Sequence, residues 1–145
     1  MIDAVDFQMR HLEGFTPKEG FVNFDIKQAK HFNMHNPSRE LVSLLSSGET
    51  VAILGLNVHK PGVGELWLIP SPLVDEYKFE FFKATRKLIY NYVFPVLQMR
   101  RLTIAIDASW EKGCKWAEKL GFEKESVMKG FGDNYEDHIC YAKVV

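Results

Sequence analysis

The sequence predicts an α/β (α+β) fold: a single domain over residues 1–145, with a mixed central sheet of six to seven strands and helices on both faces. Strand-like and helix-like hydrophobic patterns alternate along the chain without a linker or an internal repeat. Hydrophobic residues make up 46% and charged residues 26%, the balance of a globular domain with a sizeable core. Near the C-terminus a short helical pattern ends at Gly121 and leads directly into a strand-like run.

The N-terminal third carries the weakest patterns. Residues Asp3–Leu12 alternate loosely and predict a first strand, whereas residues 14–25 contain proline and glycine and read as irregular. A helix is predicted to begin at Asn36 and Pro37, since asparagine caps helices and proline fits the first helical turn. The apolar run Leu41–Ser47 is short, so it is also compatible with a strand.

A β-hairpin is predicted next. The β-rich run Thr50–Val58 and the strand Glu65–Ile69 flank the turn Lys60–Gly64, and Pro70 ends the second strand because it has no backbone N–H to donate.

The longest helix is predicted from Asp75 to about Phe94, where Pro95 stops it. Its apolar residues share one face, opposite a basic face that is expected to be solvated. The strand Arg101–Ile106 follows, and a strand, a helix and a neighbouring strand favour parallel pairing through a right-handed crossover.

The closing segment begins with a second helix. Ser109 is predicted to cap it, and four apolar residues recur on one face: Trp110, Cys114, Ala117 and Leu120. Gly121 is expected to take a positive φ after the last turn. Two final strands, Phe122–Met128 and Ile139–Val145, then surround a turn.

Composition and charge exclude several classes. The formal net charge of −1 gives no general attraction for nucleic acid, and no apolar run is long enough for a membrane helix. The N-terminus lacks the basic and apolar regions of a signal peptide, so a cytoplasmic protein is expected. Cys114 and Cys140 are interpreted as reduced thiols.

With this element order, the chain from Val51 onward resembles the GNAT superfamily of acetyl-CoA-dependent N-acetyltransferases. The resemblance rests on the strand-to-helix passage Glu65–Phe94, the strand Leu102–Asp107 and the junction Trp116-Ala-Glu-Lys-Leu-Gly-Phe122. More narrowly, the Trp67 strand, the missing glycine loop and the length resemble phage-encoded GNAT-like proteins of the internal virion protein A group.

The resemblance implies an N-acyltransferase that moves an acetyl group from acetyl-CoA to an amine, which could belong to a protein. Two departures weaken that reading. The segment Ser71–Tyr77 lacks the glycines that let backbone amides approach a pyrophosphate, and it adds Asp75 and Glu76. Ala117 occupies the position at which the family often carries a catalytic tyrosine. The alternative is therefore a catalytically degenerate GNAT-like phage protein that binds a host or virion protein, located in the host cytoplasm or the virion.

Three residues are candidates for catalysis. Glu65 could take the amine proton or simply face solvent, and Asp107 lies at the carboxyl edge of its strand, where it could instead cap the following helix. Tyr141 is a replacement acid or a packing residue. The resemblance implies cofactor contacts from Leu68, Ile69, Ser71, Lys78 and Ser109. No metal site is expected, because His31 and His35 have no evident third ligand.

Overall fold

The computed structural model describes residues 1–18 and 39–145, and it contains the predicted mixed sheet. Within these residues, seven strands are arranged in the order β1-β2-β3-β4-β5-β7-β6. Their bounds are β1 Asp3–Asp6, β2 Arg39–Ser46, β3 Glu49–Lys60, β4 Val63–Pro70, β5 Arg101–Asp107, β6 Glu123–Met128 and β7 His138–Val144. The predicted hairpin is confirmed as β3 and β4.

The predicted long helix is present in three pieces. They are α1 Leu73–Glu76, α2 Lys78–Leu88 and a π-helical turn Ile89–Val93. Near the end of α2, the buried Thr85 hydroxyl donates to the carbonyl of Phe81 at 2.9 Å, a bond that competes with the regular backbone ladder. The third α-helix, α3, spans Glu111–Lys119, and a 3₁₀ helix spans Met9–Leu12.

In the N-terminal third, one prediction is wrong and one open alternative is decided. The first strand is only β1, because residues Met9–Leu12 turn into the 3₁₀ helix. For the run Leu41–Ser47 the strand alternative is confirmed, since its residues up to Ser46 belong to strand β2. The predicted helix start at Asn36 and Pro37 lies outside the described residues. The consecutive residues Ser43 and Leu44 of this strand point to opposite faces of the sheet, and both are fully buried, so both faces are covered here. A strand covered on both faces loses the alternation that distinguishes it from a helix.

The chain falls into two compact units. The first comprises Met1–Asn57 and Trp67–Leu88, and the second comprises Val58–Leu66 and Ile89–Val145. In the first unit a core cluster of Phe7, Leu12 and Ile53 receives the half-buried Trp67. Within the described parts of the chain, no helix combines the length and the apolar character needed to cross a bilayer.

In the second unit, strand register assigns each side chain to one of two sheet faces. One row of paired residues runs Glu65, Thr103, Ala142 and Glu123, and the next row runs Leu66, Ile104, Tyr141 and Lys124. Consecutive residues of a strand point to opposite faces, so these two rows lie on opposite sides. The second row faces α3, since the Tyr141 hydroxyl reaches Glu118 of that helix. We call this side the helix face and the side of Glu65 the open face.

The junction that ends α3 is confirmed. Gly121 has φ of +95°, its N–H donates to the Glu118 carbonyl at 2.9 Å, and the N–H of Phe122 donates to Ala117 at 3.1 Å. The start of the helix differs from expectation. Trp110 occupies the N-cap position, whereas Ser109 donates both its N–H and its hydroxyl to Asp107 Oδ1.

Replacing Gly121 with alanine is expected to lower the free energy of unfolding by about 1–2 kcal/mol, because a Cβ atom disfavours the positive φ. A Cβ there would also lie 2.8 Å from the Tyr90 hydroxyl, which donates to the Leu120 carbonyl. Urea unfolding measures the change. A Tyr90→Phe background removes the close contact, so any penalty that persists there reports backbone strain. If Gly121→Ala alone lowers the free energy of unfolding by less than about 0.3 kcal/mol, the prediction is contradicted.

Candidate active site

Glu65 lies on the open face of β4, where it pairs with Thr103 of β5. Its carboxylate is 3.5 Å from Nε2 of His59, which the hairpin brings alongside from the end of β3. The Glu65 side chain is 34% exposed and the His59 side chain 55%. A partly exposed carboxylate beside an imidazole can accept a proton from a substrate that approaches this face.

The same face carries an ion pair and a thiol. The Arg101 guanidinium donates to both carboxylate oxygens of Glu125, at 2.9 and 2.6 Å. This hydrogen bonding lowers the pKa of Glu125 and raises the pKa of Arg101. Burial, and then the negative charge of Glu125, raises the pKa of the Cys140 thiol. Cys140 is therefore a poor nucleophile at neutral pH.

Tyr141 is not brought together with Glu65. It lies on the helix face, its side chain is almost fully buried, and its hydroxyl donates to Glu118 Oε1 at 3.3 Å. Burial raises the pKa of Tyr141, and the nearby Cys114 and Glu118 raise it further. A substrate proton on the open face is therefore out of reach of this phenol.

Because the pKa of Tyr141 is raised in the folded protein, the free energy of unfolding is expected to depend on pH. Above pH 10.0, the ordinary value for tyrosine, the unfolded chain loses the phenol proton while the folded chain keeps it. The stabilisation is complete below this pH, and the free energy of unfolding should fall as the pH rises beyond it. Urea unfolding of wild type and Tyr141→Phe, from about pH 8 to about pH 11, should show the wild type falling more steeply. Parallel curves would contradict this expectation.

Asp107 ends β5 on the open face, four residues beyond the row of Glu65. Four residues of strand span roughly 13 Å, so these two carboxylates do not share one reacting group. Asp107 is instead joined by Ser109, which donates to its Oδ1. Glu136 and His138 also lie beside Asp107, and the sequence prediction missed both. Glu136 and His138 are two residues apart, a spacing that places side chains on the same face of an extended chain. The predicted last strand, Ile139–Val145, begins one residue too late to include His138.

The remaining candidates are spread along the first unit. Leu68 and Ile69 are half-buried on β4, and Lys78 is exposed at the start of α2 with its Nζ 5.4 Å from the centre of the Phe79 ring. Ser71 is buried, and its hydroxyl donates to the Val51 carbonyl at 2.8 Å. The cofactor role of these residues stays a prediction.

No protein-family model matches the sequence, and no curated protein sequence matches it. Solved structures do match the fold. Spermidine N-acetyltransferase from Vibrio cholerae, solved with CoA and spermine, has a TM-score of 0.77 at 11% identity and covers 99% of this chain and 95% of its own. RimL, a ribosomal L7/L12 alpha-N-protein acetyltransferase solved with coenzyme A, has a TM-score of 0.76 at 13% identity. The match covers 99% of this chain and 94% of RimL. A putative phosphinothricin N-acetyltransferase has a TM-score of 0.74 at 17% identity. The match covers 100% of this chain and 99% of the acetyltransferase. This chain has the GNAT fold.

The segment Ser71–Tyr77 of this GNAT fold is less acidic than its sequence indicates. Lys18 comes beside it: its N–H donates to the Pro70 carbonyl at 2.8 Å and its ammonium pairs with Asp75 at 2.5 Å. The pair is formally neutral, so Glu76 is left as the carboxylate that would repel an anion. The helix that starts here, α1, has only four residues and therefore a weak dipole.

Ala117, the second departure, is fully buried within α3. The methyl group at this position carries no acidic proton to donate.

Proposed function

We propose that this chain transfers an acetyl group from acetyl-CoA to an amine. The observation that carries the proposal is the GNAT fold, which spans the whole chain and is shared with acetyltransferases solved with CoA. The acceptors named for those proteins, spermidine and the α-amine of a ribosomal protein, are amines, and a soluble amine or a protein amine is proposed here.

In the proposed reaction the amine nitrogen attacks the thioester carbonyl and the carbon–sulfur bond breaks. The proton that the nitrogen loses as the amide forms passes to the departing sulfur, so CoA leaves as the thiol. Glu65, assisted by His59, removes the proton from the ammonium form so that the nitrogen lone pair can attack. The backbone of β4 at Leu68 and Ile69 is proposed to bind the pantetheine arm, and Lys78 to approach the phosphates. Holding the two reactants together supplies much of the rate, so the absence of a tyrosine at position 117 is compatible with activity.

The experiment that tests this proposal has two steps. Calorimetry with acetyl-CoA up to millimolar concentration measures binding. Incubation with spermidine, a peptide with a free N-terminus or a lysine peptide then measures CoA release and the mass of the acetylated product. Saturable binding with transfer to any of these amines is the expected result. If acetyl-CoA does not bind, the proposal fails.

The second candidate is a GNAT-like protein that has lost catalysis and binds a host or virion protein. The buried Ala117 and the glycine-free segment Ser71–Tyr77 favour it. It predicts a partner that copurifies equally with wild type and Glu65→Gln and that gains no acetyl group. An acetyl mark on the partner that disappears with Glu65→Gln would support the enzyme instead.

A further inference from the structure

Three metal-ligating side chains converge at the carboxyl end of β5. Asp107, Glu136 and His138 are each half-buried, and each offers a ligand atom within 4.8 Å of the others. Asp107 and His138 are direct partners in the β5–β7 ladder, so their proximity is fixed by the sheet. The N–H of Ala108 donates to the Asp137 carbonyl at 2.9 Å, which continues the pairing past this point. The cluster is therefore supported by rigid backbone.

His138 has unused coordination capacity in this arrangement. Its Nε2 has one long contact, 3.4 Å to Glu136 Oε1, and its Nδ1 is buried without a hydrogen-bond partner among the described residues. Buried ring nitrogens of histidine normally have a partner. The ring is nevertheless held in place, since Phe131 packs edge-on with its centroid 5.3 Å away. Nε2 is the ring nitrogen that contacts Glu136, and a held imidazole whose Nε2 makes only this long contact can use that nitrogen to bind a metal ion.

The two carboxylates are also held in position. Glu136 Oε2 accepts a hydrogen bond from the N–H of Asn134 at 2.9 Å. A Cβ atom placed on Gly132 would lie only 1.8 Å from Glu136 Oε1, so the carboxylate fills the space beside this glycine. Asp107 Oδ1 accepts hydrogen bonds from both the N–H and the hydroxyl of Ser109. Both carboxylates are therefore held within ligand distance of the His138 ring.

We propose that Asp107, Glu136 and His138 bind a divalent transition-metal ion, with Zn²⁺ as its probe. One imidazole nitrogen and two carboxylate oxygens suit zinc and its neighbours, whereas Mg²⁺ and Ca²⁺ prefer oxygen ligands throughout. Ligands of a tetrahedral zinc ion lie about 3.3 Å apart, so the three side chains close inward on binding. The fourth position is left to water. The ion ties residues 129–137 to the end of β5, a role that does not depend on acetyl transfer.

The test is a Zn²⁺ titration of the full chain followed by calorimetry, repeated with Co²⁺ and its visible absorption spectrum. One saturable site is expected in wild type. Asp107→Asn, Glu136→Gln and His138→Gln should each weaken binding at least about tenfold. Glu125→Gln changes a carboxylate outside the cluster, and His59→Gln changes the other described histidine–carboxylate pair. Neither should alter the affinity.

Three outcomes would overturn the proposal: no saturable Zn²⁺ binding, affinities unchanged by all three cluster variants, or equal competition by Mg²⁺. Binding that is lost with His31→Gln or His35→Gln but retained by His138→Gln would overturn it as well, because the ion would then lie elsewhere. Circular dichroism checks the fold of each variant. Asp107→Asn and Glu136→Gln nearly preserve side-chain shape, so they decide the question if His138→Gln does not fold.

Discussion

Replacing Gly55 with alanine is expected to lower the free energy of unfolding by about 2–3 kcal/mol, as overpacking of a core does. An alanine Cβ at this position would lie 2.0 Å from Cε2 and 2.1 Å from Cζ2 of the Trp67 indole. The indole cannot simply turn away, because it packs against the cluster of Phe7, Leu12 and Ile53. Gly55 is itself held in the ladder by its pairing with Leu41 of β2. Either the ring or the strand must shift.

A double-mutant cycle separates this overlap from a general loss of strand stability. Trp67→Leu removes all the ring atoms that would collide, at the cost of some packing in the cluster. We expect Gly55→Ala to cost less than about 1 kcal/mol in that background, measured by urea unfolding, because the two residues are in contact and their effects are not additive. Additive penalties, or a single-variant loss below about 0.5 kcal/mol, would show that the Trp67 ring does not limit position 55.

The parts of the fold that the sequence predicts well are those governed by local signals. The turn between β3 and β4 is bounded by two β-rich runs, and the end of α3 depends on a glycine that takes a positive φ. The run Leu41–Ser47 is compatible with both a helix and a strand, because consecutive residues of β2 are buried on both faces and the alternation of a half-exposed strand is missing. The interruption of the long helix at Tyr77 likewise has no marker as strong as a proline.

The candidate site follows the same division. Glu65 was found because it stands near the start of a strand that local alternation predicts. Its separation from Tyr141 depends on the register of β4, β5 and β7, since a shift of one residue would move the phenol to the open face. The meeting of Asp107 with His138 also rests on that register, over a sequence distance that periodicity cannot bridge.

Glu65→Gln is expected to lower kcat by about 10²- to 10⁴-fold if the chain is the proposed acetyltransferase, because glutamine keeps the shape but cannot accept the ammonium proton. The affinity for acetyl-CoA should not change, since the proposed cofactor contacts are further along β4. Steady-state kinetics with the amine identified by the transfer assay, together with calorimetry, separates these effects. A purely structural role for Glu65 would instead change the urea midpoint together with the activity.

Glu123→Gln is the matched control for this experiment. Glu123 lies in the same row of the open face as Glu65, through Ala142 and Thr103, and the change in charge is identical. Three strand spacings separate the two carboxylates, roughly 14 Å, so Glu123 cannot touch an amine held at Glu65. Its substitution should leave kcat within about twofold, whereas equal losses in both variants would point to the overall negative charge of the face rather than to proton transfer. Unchanged kcat in Glu65→Gln would move the base elsewhere, and His59→Gln would then be the next variant to measure, because His59 is the neighbouring group that can take a proton.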